Sequence, residues 1–557
     1  MSDPGKTTVG VDFGTESARA VLVEVSTGRE LASVVHRYRS GVIDQRLPDG
    51  AALPPDWALQ DPDDYLDALG TTVRGVLAES RIDPSAVIGI GIDFTACTML
   101  PVTSDGTPLC RFPDLRPDPH AWVKLWKHHA AQPEADLINQ TAENRGEPWL
   151  DRYGRRTSSE WFFAKALQIL DESPGVYARA DRLIEAADWV VWQLTGVETR
   201  NSCTAGYKAL WSKREGFPGR SFFGALAPGF ADVIDEKMSR DISSLGERAG
   251  VISAEAASLT GLLPGTAVAV ANVDAHVSVP AATVVSPGTL VAVMGTSTCH
   301  VAVAEVERVV PGFCGVVEDG VIPGLFGYEA GQAAVGDMFA WFTGLLSGDD
   351  DSAGQLHQTL EREAGALRPG ESGLVALDWW NGNRSVLVDA ELTGLLMGAT
   401  LATPPGDIYR ALLEATVFGT RVIIETLEKA GIGVDEMVVC GGLPFQNRLL
   451  MQLTADITGR PVRVAASRQT PALGSAMFAA VAAGPDLGGH DSIVGATERM
   501  ARLGPDEYLP DGSGREVYDD LYGIYRDLHD TMSAGSSEMR RLRSVQDRAR
   551  ATSAVPA

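Results

Sequence analysis

The chain of 557 residues has few cysteines and few basic side chains. Its six cysteines are scattered and form no CxxC pair, which is typical of a reduced, intracellular protein. Lysine and arginine total 47 against 73 for aspartate and glutamate, so the formal net charge is −26. Such a field repels polyphosphate chains and argues against a nucleic-acid partner. An anionic small substrate would need local help from a metal ion or from backbone dipoles.

A leader peptide and a membrane span are not expected either. The N-terminal stretch MSDPGKTTVGVDFG has no long apolar core and does not resemble a signal peptide. Residues 275–304 contain no Asp, Glu, Lys or Arg, but Pro280, Pro287, Gly288 and many hydroxyl groups favour buried strands and a turn over a membrane span. We expect a soluble protein of the cytoplasm with no membrane partner.

Several motifs of nucleotide and metal chemistry are absent. No GxGxxG and no kinase-type HRD set occurs, and GKTT at residues 5–8 lacks the leading glycine and the preceding strand of a P-loop. His120, His128 and His129 follow no HExxH pattern and have no cysteine partner. Histidines on a helix surface or a pocket wall are therefore favoured over a metal site.

The chain does contain one short sequence motif twice. Residues 10–25 read GVDFGTESARAVLVEV, and residues 291–306 read VAVMGTSTCHVAVAEV. Where the first copy has the acid Asp12, the second has Val293. The identical aligned positions include Gly14 with Gly295, Thr15 with Thr296, Glu24 with Glu305, and Val25 with Val306.

The duplicated motif has features that favour phosphate binding. A Gly-Thr corner between two strands exposes consecutive backbone N–H groups beside a hydroxyl, and this geometry can hold phosphate oxygens without lysine. Two corners facing each other across a cleft could hold the phosphates of one nucleotide, and Asp12 would hold Mg²⁺ directly or through water. A single hairpin of this kind is most often an ordinary turn. Two aligned copies, followed by a Gly-Gly pair before a helix, favour nucleotide binding.

Apolar strands and amphipathic helices alternate along the chain, whose length requires two or more domains. We place the domain boundary at the turn over residues 286–289. Residues 470–484, TPALGSAMFAAVAAG, predict a helix lined with small residues that suits close packing. Helical spacing predicts further helices over residues 62–79 and around residues 120–131, 159–170 and 183–195.

Two aspartates at strand ends are candidate general bases. Asp93 ends the apolar run VIGIGID, and Asp274 follows TAVAVANV. A carboxylate in such a place could accept the proton of a substrate hydroxyl. On local grounds the two are equal candidates, and a helix cap or turn former is the commoner role of such an aspartate.

The chain resembles the FGGY family of carbohydrate kinases, which share the fold of actin and the heat-shock-chaperone ATPases. DFGTESARA resembles the first phosphate loop of the family, GTSTC at residues 295–299 the second, and GGLPFQN at residues 441–447 the adenosine segment. The resemblance covers about residues 7–485. Five further stretches carry it: LWKHHAA, SSEWFFAK, SCTAGYKALW, NVDAH and GYEAGQAAVGDMFAWF.

The fold class implied by this resemblance is α/β, with two actin-like ATPase domains of the ribonuclease H type around an interdomain cleft. The N-terminal domain, residues 7–285, would hold the sugar site and the first phosphate loop. The C-terminal domain, residues 286–485, would hold the second phosphate loop and the adenosine site. Residues 486–557 would form a C-terminal extension whose arginine-rich end is a solvated or frayed helix.

The resemblance also assigns roles to individual residues. Asp274 would be the catalytic base, with Asp93 ranked second, and Asp12 would bind the metal. Residues 93–97 read DFTAC where similar members have DSTGS or close relatives, a departure that could alter sugar preference. The implied sugar-binding residues are Asp274, Ala96, Lys208 and Glu329, with Asp93 and Trp126 shaping the pocket. The implied nucleotide-binding residues are Gly14, Thr15, Ser17, Arg19, Gly295, Thr296, Ser297, Gly442 and Asn447.

The implied reaction is transfer of a phosphoryl group from MgATP to L-ribulose, giving L-ribulose 5-phosphate in the use of L-arabinose. ATP and Mg²⁺ are the expected cofactors, a small pentulose and MgATP the expected partners, and a homodimer is one open oligomeric state. One alternative is a kinase of the same family acting on D-ribulose, ribitol, xylulose or glycerol. A second is a non-catalytic, ATP-dependent sensor with the actin fold.

Overall fold

A computed structural model of the protein describes residues 5–347, 353–535 and 537–553. The first half of the chain is built on a seven-stranded sheet in the order β3-β2-β1-β5-β10-β9, with β11 beside β5. In it, β1 and β5 run parallel and β1 and β2 form a hairpin. Its strands are β1 (Thr7–Phe13), β2 (Ser17–Glu24), β3 (Glu30–Arg37), β5 (Val87–Phe94), β9 (Arg248–Val251), β10 (Ala267–Ala269) and β11 (Asn272–Val273).

A second, four-stranded sheet lies in the same half, in the order β4-β7-β6-β8. It is formed by β4 (Leu59–Gln60), β6 (Met99–Val102), β7 (Val123–Lys124) and β8 (Arg182–Glu185). The helices of this half are α1 (Pro62–Ser80), α2 (Gln132–Arg145), α3 (Phe162–Glu172), α4 (Pro174–Arg179), α5 (Ala186–Thr195), α6 (Ser202–Lys208), α7 (Arg220–Leu226), α8 (Val233–Lys237), α9 (Ala254–Thr260) and α10 (Asp274–Ala281).

The second half repeats the architecture with a seven-stranded sheet in the order β14-β15-β13-β12-β18-β19-β20. Its strands are β12 (Gly288–Met294), β13 (Thr298–Ala304), β14 (Gly315–Glu318), β15 (Phe326–Gln332), β18 (Val434–Gly441), β19 (Val462–Ala465) and β20 (Leu503–Tyr508). A separate pair is formed by β16 (Val375–Leu377) and β17 (Leu395–Met397). The helices are α11 (Gly336–Ser347), α12 (Ala353–Ala366), α13 (Pro405–Lys429), α14 (Arg448–Thr458), α15 (Thr470–Ala483), α16 (Ile493–Met500), α17 (Arg515–Ser533) and α18 (Glu538–Ser553).

Local signals account for helix α1, which confirms the helix predicted over residues 62–79. The Asp61 side chain caps its start by accepting a hydrogen bond from the Asp63 N–H, and Pro62 occupies the first turn, where no donor is lost. The helix ends at Arg81, which adopts a left-handed conformation with φ of 57°. Helix α3 likewise confirms the helix expected around residues 159–170.

Two other helix predictions are wrong in whole or in part. The stretch around residues 120–131 forms a short 3₁₀ turn followed by β7, because it pairs with β4 and β6 and is buried almost throughout. Of the stretch 183–195, the first residues belong to β8, which pairs with β6, and α5 begins only at Ala186. In both places strand pairing overrides the helical spacing.

Helix α15 joins the two halves by packing its small residues directly on the first sheet. A Cβ added to Gly91 in β5 would lie 2.1 Å from the Ser475 carbonyl oxygen, and one added to Gly10 in β1 would lie 1.7 Å from that of Ala472. Backbone contact of this kind tolerates only glycine on the strand. The prediction that residues 470–484 form a closely packed, small-residue helix is therefore confirmed.

The end of the chain adds to the second half. Strand β20 forms an edge of the second sheet beside β19, and Tyr518, Tyr522 and Tyr525 of α17 are buried in its apolar core. Over the ranges that the structure describes, no helix combines the length and apolar character needed to cross a membrane.

Candidate active site

The two Gly-Thr corners form matching but unequal turns. The Gly14 N–H donates to the Ser17 carbonyl at 3.0 Å, and the Gly295 N–H donates to the Ser297 carbonyl at 2.8 Å.

The two turns differ in length. Four residues separate the paired residues Phe13 and Ala18 in the first hairpin, whereas three separate Met294 and Thr298 in the second. The second corner is one residue shorter, so the simple alignment of the two copies slips by one residue beyond the turn.

Each corner is held by a neighbour from a distant part of the chain. At the first, the Trp126 indole N–H donates to the Thr15 hydroxyl at 3.0 Å. At the second, the Gly295 carbonyl accepts from the Gly336 N–H at 3.1 Å, where α11 begins. A Cβ on Gly336 would lie 2.6 Å from that carbonyl oxygen, so this glycine is needed for the contact. Gly336 lies within the motif GYEAGQAAVGDMFAWF, but its contact with the second corner was not predicted from the sequence.

Asp12 and Asp93 lie side by side at the ends of β1 and β5, where the parallel register pairs them. The Asp12 carboxylate faces the Arg19 guanidinium, with Oδ2 and Nε 3.3 Å apart. Asp93 is fully buried, and its Oδ2 accepts from the Ser475 hydroxyl at 2.6 Å. Burial and the nearby Asp12 carboxylate raise the pKa of Asp93 well above its usual range. The ranking of Asp93 below Asp274 as a candidate base stays a prediction.

Asp274 stands at the first position of α10, directly after β11. Its Oδ1 accepts a hydrogen bond from the Ala275 N–H at 2.6 Å. Burial, together with the Asp12 carboxylate, raises the pKa of the Asp274 carboxyl to about 7, while the Ala275 N–H and Lys208 oppose the shift. A carboxyl with this pKa is poised to take and release a proton near neutral pH.

Lys208 and Glu329 form a buried ion pair that connects the two halves. The Lys208 ammonium donates to both Glu329 carboxylate oxygens, at 2.7 and 2.8 Å. Burial alone would raise the pKa of Glu329, but the ammonium outweighs it and holds that pKa well below its usual range. The same pairing overcomes the effect of burial on Lys208 and raises its pKa. Both members of the pair are thus charged at neutral pH.

Two neighbours of this ion pair were missed by the sequence analysis. His276 Nε2 lies 3.2 Å from Glu329 Oε2, and its ring stacks on Tyr207 with the ring centroids 4.2 Å apart. Its position within the quoted motif NVDAH could have signalled it. Arg384 lies with its guanidinium carbon 6.0 Å from the Trp126 ring centroid. No sequence signal marked Arg384, because it comes close to the pocket only through the fold.

Ala96 lies in the loop between β5 and β6. The loop begins with the Thr95 N–H donating to the Phe13 carbonyl at 3.2 Å, which ties it to the end of β1. The hydroxyls of Thr95 and Thr98 are hydrogen bonded at 2.8 Å. Cys97 adopts a left-handed conformation with φ of 62°, which turns the chain sharply beside Ala96. Ala96 therefore lies in a turn that is fixed to the end of β1.

The expected adenosine segment follows β18, which ends at Gly441 in a left-handed conformation. Gly442 precedes a 3₁₀ turn. The Asn447 side chain caps α14 by accepting from the Leu450 N–H at 2.8 Å, and its amide donates to the Tyr409 hydroxyl at 3.2 Å. The Asn447 side chain thus has a structural role, and contact of this segment with adenosine stays a prediction.

Three of the predicted acids influence one another. The Asp12 carboxylate raises the pKa of both Asp93 and Asp274, and the Asp274 carboxylate raises that of Asp93. The ion pair of Lys208 and Glu329 and the contact of Trp126 with Thr15 connect further predicted residues. Among the residues that the structure describes, no group of three or more His, Cys, Asp or Glu side chains is placed to hold a metal ion by itself.

Two family models match the chain. The FGGY family of carbohydrate kinases, N-terminal domain, matches residues 7–279, and the C-terminal domain of the same family matches residues 290–483. The chain is 55% identical over 549 residues to a protein named ribulokinase from Halalkalibacterium halodurans, covering 97% of this chain and 98% of that one. It is 53% identical over 554 residues to a ribulokinase from Anoxybacillus flavithermus, covering 98% of each, and 50% identical over 560 residues to one from Mycolicibacterium smegmatis, covering 99% and 98%.

Solved structures with low sequence identity share the fold. A ligand-bound xylulose kinase from Lactobacillus acidophilus aligns with a TM-score of 0.79 at 18% identity, covering 95% of this chain and 99% of that one. A glycerol kinase from Plasmodium falciparum with ADP aligns with a TM-score of 0.74 at 15% identity, covering 94% and 98%. The likeness confirms the expected α/β fold of two actin-like domains.

Proposed function

Because the chain belongs to the FGGY family of carbohydrate kinases, we propose that it transfers the γ-phosphoryl group of ATP to a terminal hydroxyl of L-ribulose. The observation that carries this proposal is the 50–55% identity to proteins named ribulokinase over nearly the whole chain. The structural neighbours named above for xylulose and glycerol are 18% and 15% identical and do not favour those substrates. The product would be L-ribulose 5-phosphate, formed during the use of L-arabinose.

In the proposed mechanism, Asp274 accepts the proton of the attacking hydroxyl. Phosphoryl transfer passes through a loose transition state, so the protein mainly positions groups and neutralises charge. A pKa of about 7 lets the Asp274 carboxylate accept this proton late in the transfer. Lys208 and Glu329 would orient the sugar hydroxyls, since a donor or acceptor left unpaired in a buried pocket is costly and so gives selectivity.

The backbone corners at Gly14–Thr15 and Gly295–Ser297 would receive the phosphates, with Ser17 and Arg19 beside the first. The acids at the first corner fit a magnesium ion. Mg²⁺ commonly takes one or two carboxylates, substrate phosphates and several waters, and Asp93 Oδ1 is buried with no hydrogen-bond partner among the described residues. Asp12 would hold the ion, which would neutralise phosphate charge.

The division into domains at residues 285 and 286 and the adenosine role of Gly442 and Asn447 remain part of this proposal. We place the reaction in the cytoplasm, where ATP is available and where the six free cysteines would stay reduced. A homodimer is the oligomeric state to test first by size-exclusion chromatography with light scattering.

The deciding experiment measures ADP release by the purified protein with MgATP against L-ribulose, D-ribulose, ribitol, D-xylulose and glycerol, with a blank lacking sugar. We expect L-ribulose to give the highest kcat/KM, with the phosphate on its terminal carbon by NMR. Preference for another polyol would keep the kinase and refute the substrate. Absence of sugar-dependent ADP release would refute the kinase proposal.

A further inference from the structure

Lys165 contacts two chain segments that carry predicted sugar-binding residues and is not itself one of the predicted site residues. It projects from α3 and is fully buried within an apolar cluster that includes Trp161 and Phe162. A buried ammonium is unfavourable unless its donors are paired. Burial lowers the pKa of Lys165 to about 8, so the group still carries its proton at neutral pH. A buried charge in this place needs an explanation that packing alone does not give.

The explanation lies in the two hydrogen bonds that Lys165 makes. Its ammonium donates to the Cys97 carbonyl at 2.7 Å and to the Leu125 carbonyl at 2.7 Å. Cys97 follows Ala96 and holds the left-handed turn of that loop, while Leu125 precedes Trp126. One side chain therefore connects two chain segments that are distant in sequence, and each of them carries a predicted sugar-pocket residue.

The first phosphate corner has its own closing bond. The Trp126 indole donates to the Thr15 hydroxyl, but the turn is closed by the Gly14 N–H and the Ser17 carbonyl, so a shift of Trp126 should leave the backbone of that turn in place. A long apolar side chain could fill the same space without the cost of burying a charge. It could not fix the direction of two backbone carbonyls, and small displacements in a pocket of this kind have large kinetic effects.

We propose that Lys165 is a positioning residue of the sugar pocket, which fixes the backbone beside Ala96 and Trp126 through the Cys97 and Leu125 carbonyls. The proposal rests on the proposed sugar-kinase function. It assigns Lys165 no contact with substrate and no part in proton transfer. Its effect should therefore appear in the use of the sugar and not in the use of ATP.

A matched control exists in the same half of the molecule. Lys237 in α8 is also buried, and its ammonium donates to a backbone carbonyl, that of Ala180, at 2.7 Å. It lies over the Tyr177 ring, 5.0 Å from the centroid. Neither partner is a predicted site residue. Lys237→Met thus removes a buried lysine and its backbone hydrogen bond without touching the pocket.

The test compares Lys165→Met, Lys165→Gln and Lys237→Met with the wild type, using the sugar of the panel above that the wild type phosphorylates best. We expect Lys165→Met to raise KM for the sugar by about tenfold or more, since misplacement of about 1 Å can cost more than this. KM for ATP should stay within about twofold, because Lys165 bonds to none of the predicted nucleotide-binding residues. Lys165→Gln, which keeps a donor, should fall between Lys165→Met and the wild type.

Thermal unfolding of every variant separates positioning from stability. Lys237→Met should lower the midpoint while leaving both KM values within about twofold of the wild type. Parallel rises in KM for sugar and for ATP, or an unchanged KM for sugar in Lys165→Met, would overturn the proposal. If Lys165→Met does not fold, Lys165→Gln decides by the same criteria. A wild type without sugar-dependent turnover would instead refute the proposed function, which keeps the two failures distinct.

Discussion

At the ends of the central strands of the first sheet, Asp12 and Asp93 lie side by side, whereas the paired positions in the second sheet are Val293 and Cys440. Both sheets place a Gly-Thr hairpin at this edge, and in each a glycine N–H donates to a serine carbonyl, three residues on in the first turn and two in the second. The duplicated scaffold therefore provides the Gly-Thr turn twice, whereas the pair of acids occurs only in the first sheet. This difference shows that the fold determines where groups lie, while single residues determine what chemistry they perform.

The connections between the halves carry the rest of the site. Asp274 follows the last strand of the first sheet, and Lys208 of the first half pairs with Glu329 of the second. Ser475 on α15, in the second half of the chain, donates to Asp93 in the first. If the first half alone provides the strand-end aspartates of the site, substitutions of these aspartates should affect activity most.

The largest effect is expected from Asp274→Asn, which removes the proposed base and keeps the shape of the side chain. Loss of general-base catalysis should lower kcat by about 10²–10⁴-fold. Binding of the sugar, measured by isothermal titration calorimetry, should change little because Lys208 and Glu329 remain. An Asp274→Asn enzyme with wild-type kcat would refute the assignment of the base.

The next largest effect should come from breaking the ion pair between the halves. Lys208→Met leaves Glu329 charged and buried, and removing one partner of a buried pair commonly costs about 3–5 kcal/mol in the free energy of unfolding. Arg240→Met is the control, because Arg240 pairs with Asp235, both side chains are exposed, and exposed pairs are worth about 0–1 kcal/mol. Urea unfolding measures both. Equal losses in the two variants would show that the buried pair has no special role in stability.

The asymmetry of the two corners can be tested by exchanging their residues. Asp12→Asn should lower kcat by roughly 10²-fold, as for loss of one preorganised electrostatic group, and should raise the Mg²⁺ concentration needed for half-maximal rate. Val293→Asp should not restore activity to Asp12→Asn, because the metal-side acid belongs to the first corner. Recovery of activity in the double variant would mean that the two corners are equivalent.

The smallest expected effect is the pH dependence of the wild type. With the Asp274 pKa raised to about 7, the fraction of carboxylate available as base falls about tenfold per pH unit below that value. We therefore expect kcat/KM for the sugar to rise between pH 5.5 and pH 7.5, with an apparent pKa of about 7. A flat profile over this range would show that ionisation of Asp274 does not limit the reaction.

The same shift should be visible in stability, and its sign can be worked out. The unfolded carboxyl loses its proton near pH 3.8 and the folded one only at about 7, so folding is favoured by protonation and this contribution is lost as pH rises between those values. The Asn side chain of Asp274→Asn does not ionise, so this variant does not lose stability in this way as pH rises. Its gain in melting temperature over the wild type should be larger at pH 8 than at pH 5, by differential scanning fluorimetry.

Much of the fold could be predicted because its signals are local. Helix α1 is bounded by a capping aspartate and a first-turn proline that are visible in the sequence, and the small residues of α15 predict close packing. The stretch around residues 120–131 could not be predicted, since its strand exists only by pairing with β4 and β6. The shorter second corner could not be predicted from the sequence either, because the hydrogen bond between the Gly295 N–H and the Ser297 carbonyl sets the length of its turn.

By itself the sequence determined the family, the duplicated corners and the acid at only one of them, because these features are carried by contiguous residues. The tertiary structure decided the surroundings of the two strand-end aspartates. It buried Asp93 beside Asp12 and Ser475, and it left Asp274 with a pKa near neutrality. It also brought His276, Arg384 and Lys165 to the predicted pocket residues. Burial and electrostatic coupling depend on distances between segments far apart in the chain, which no local pattern records.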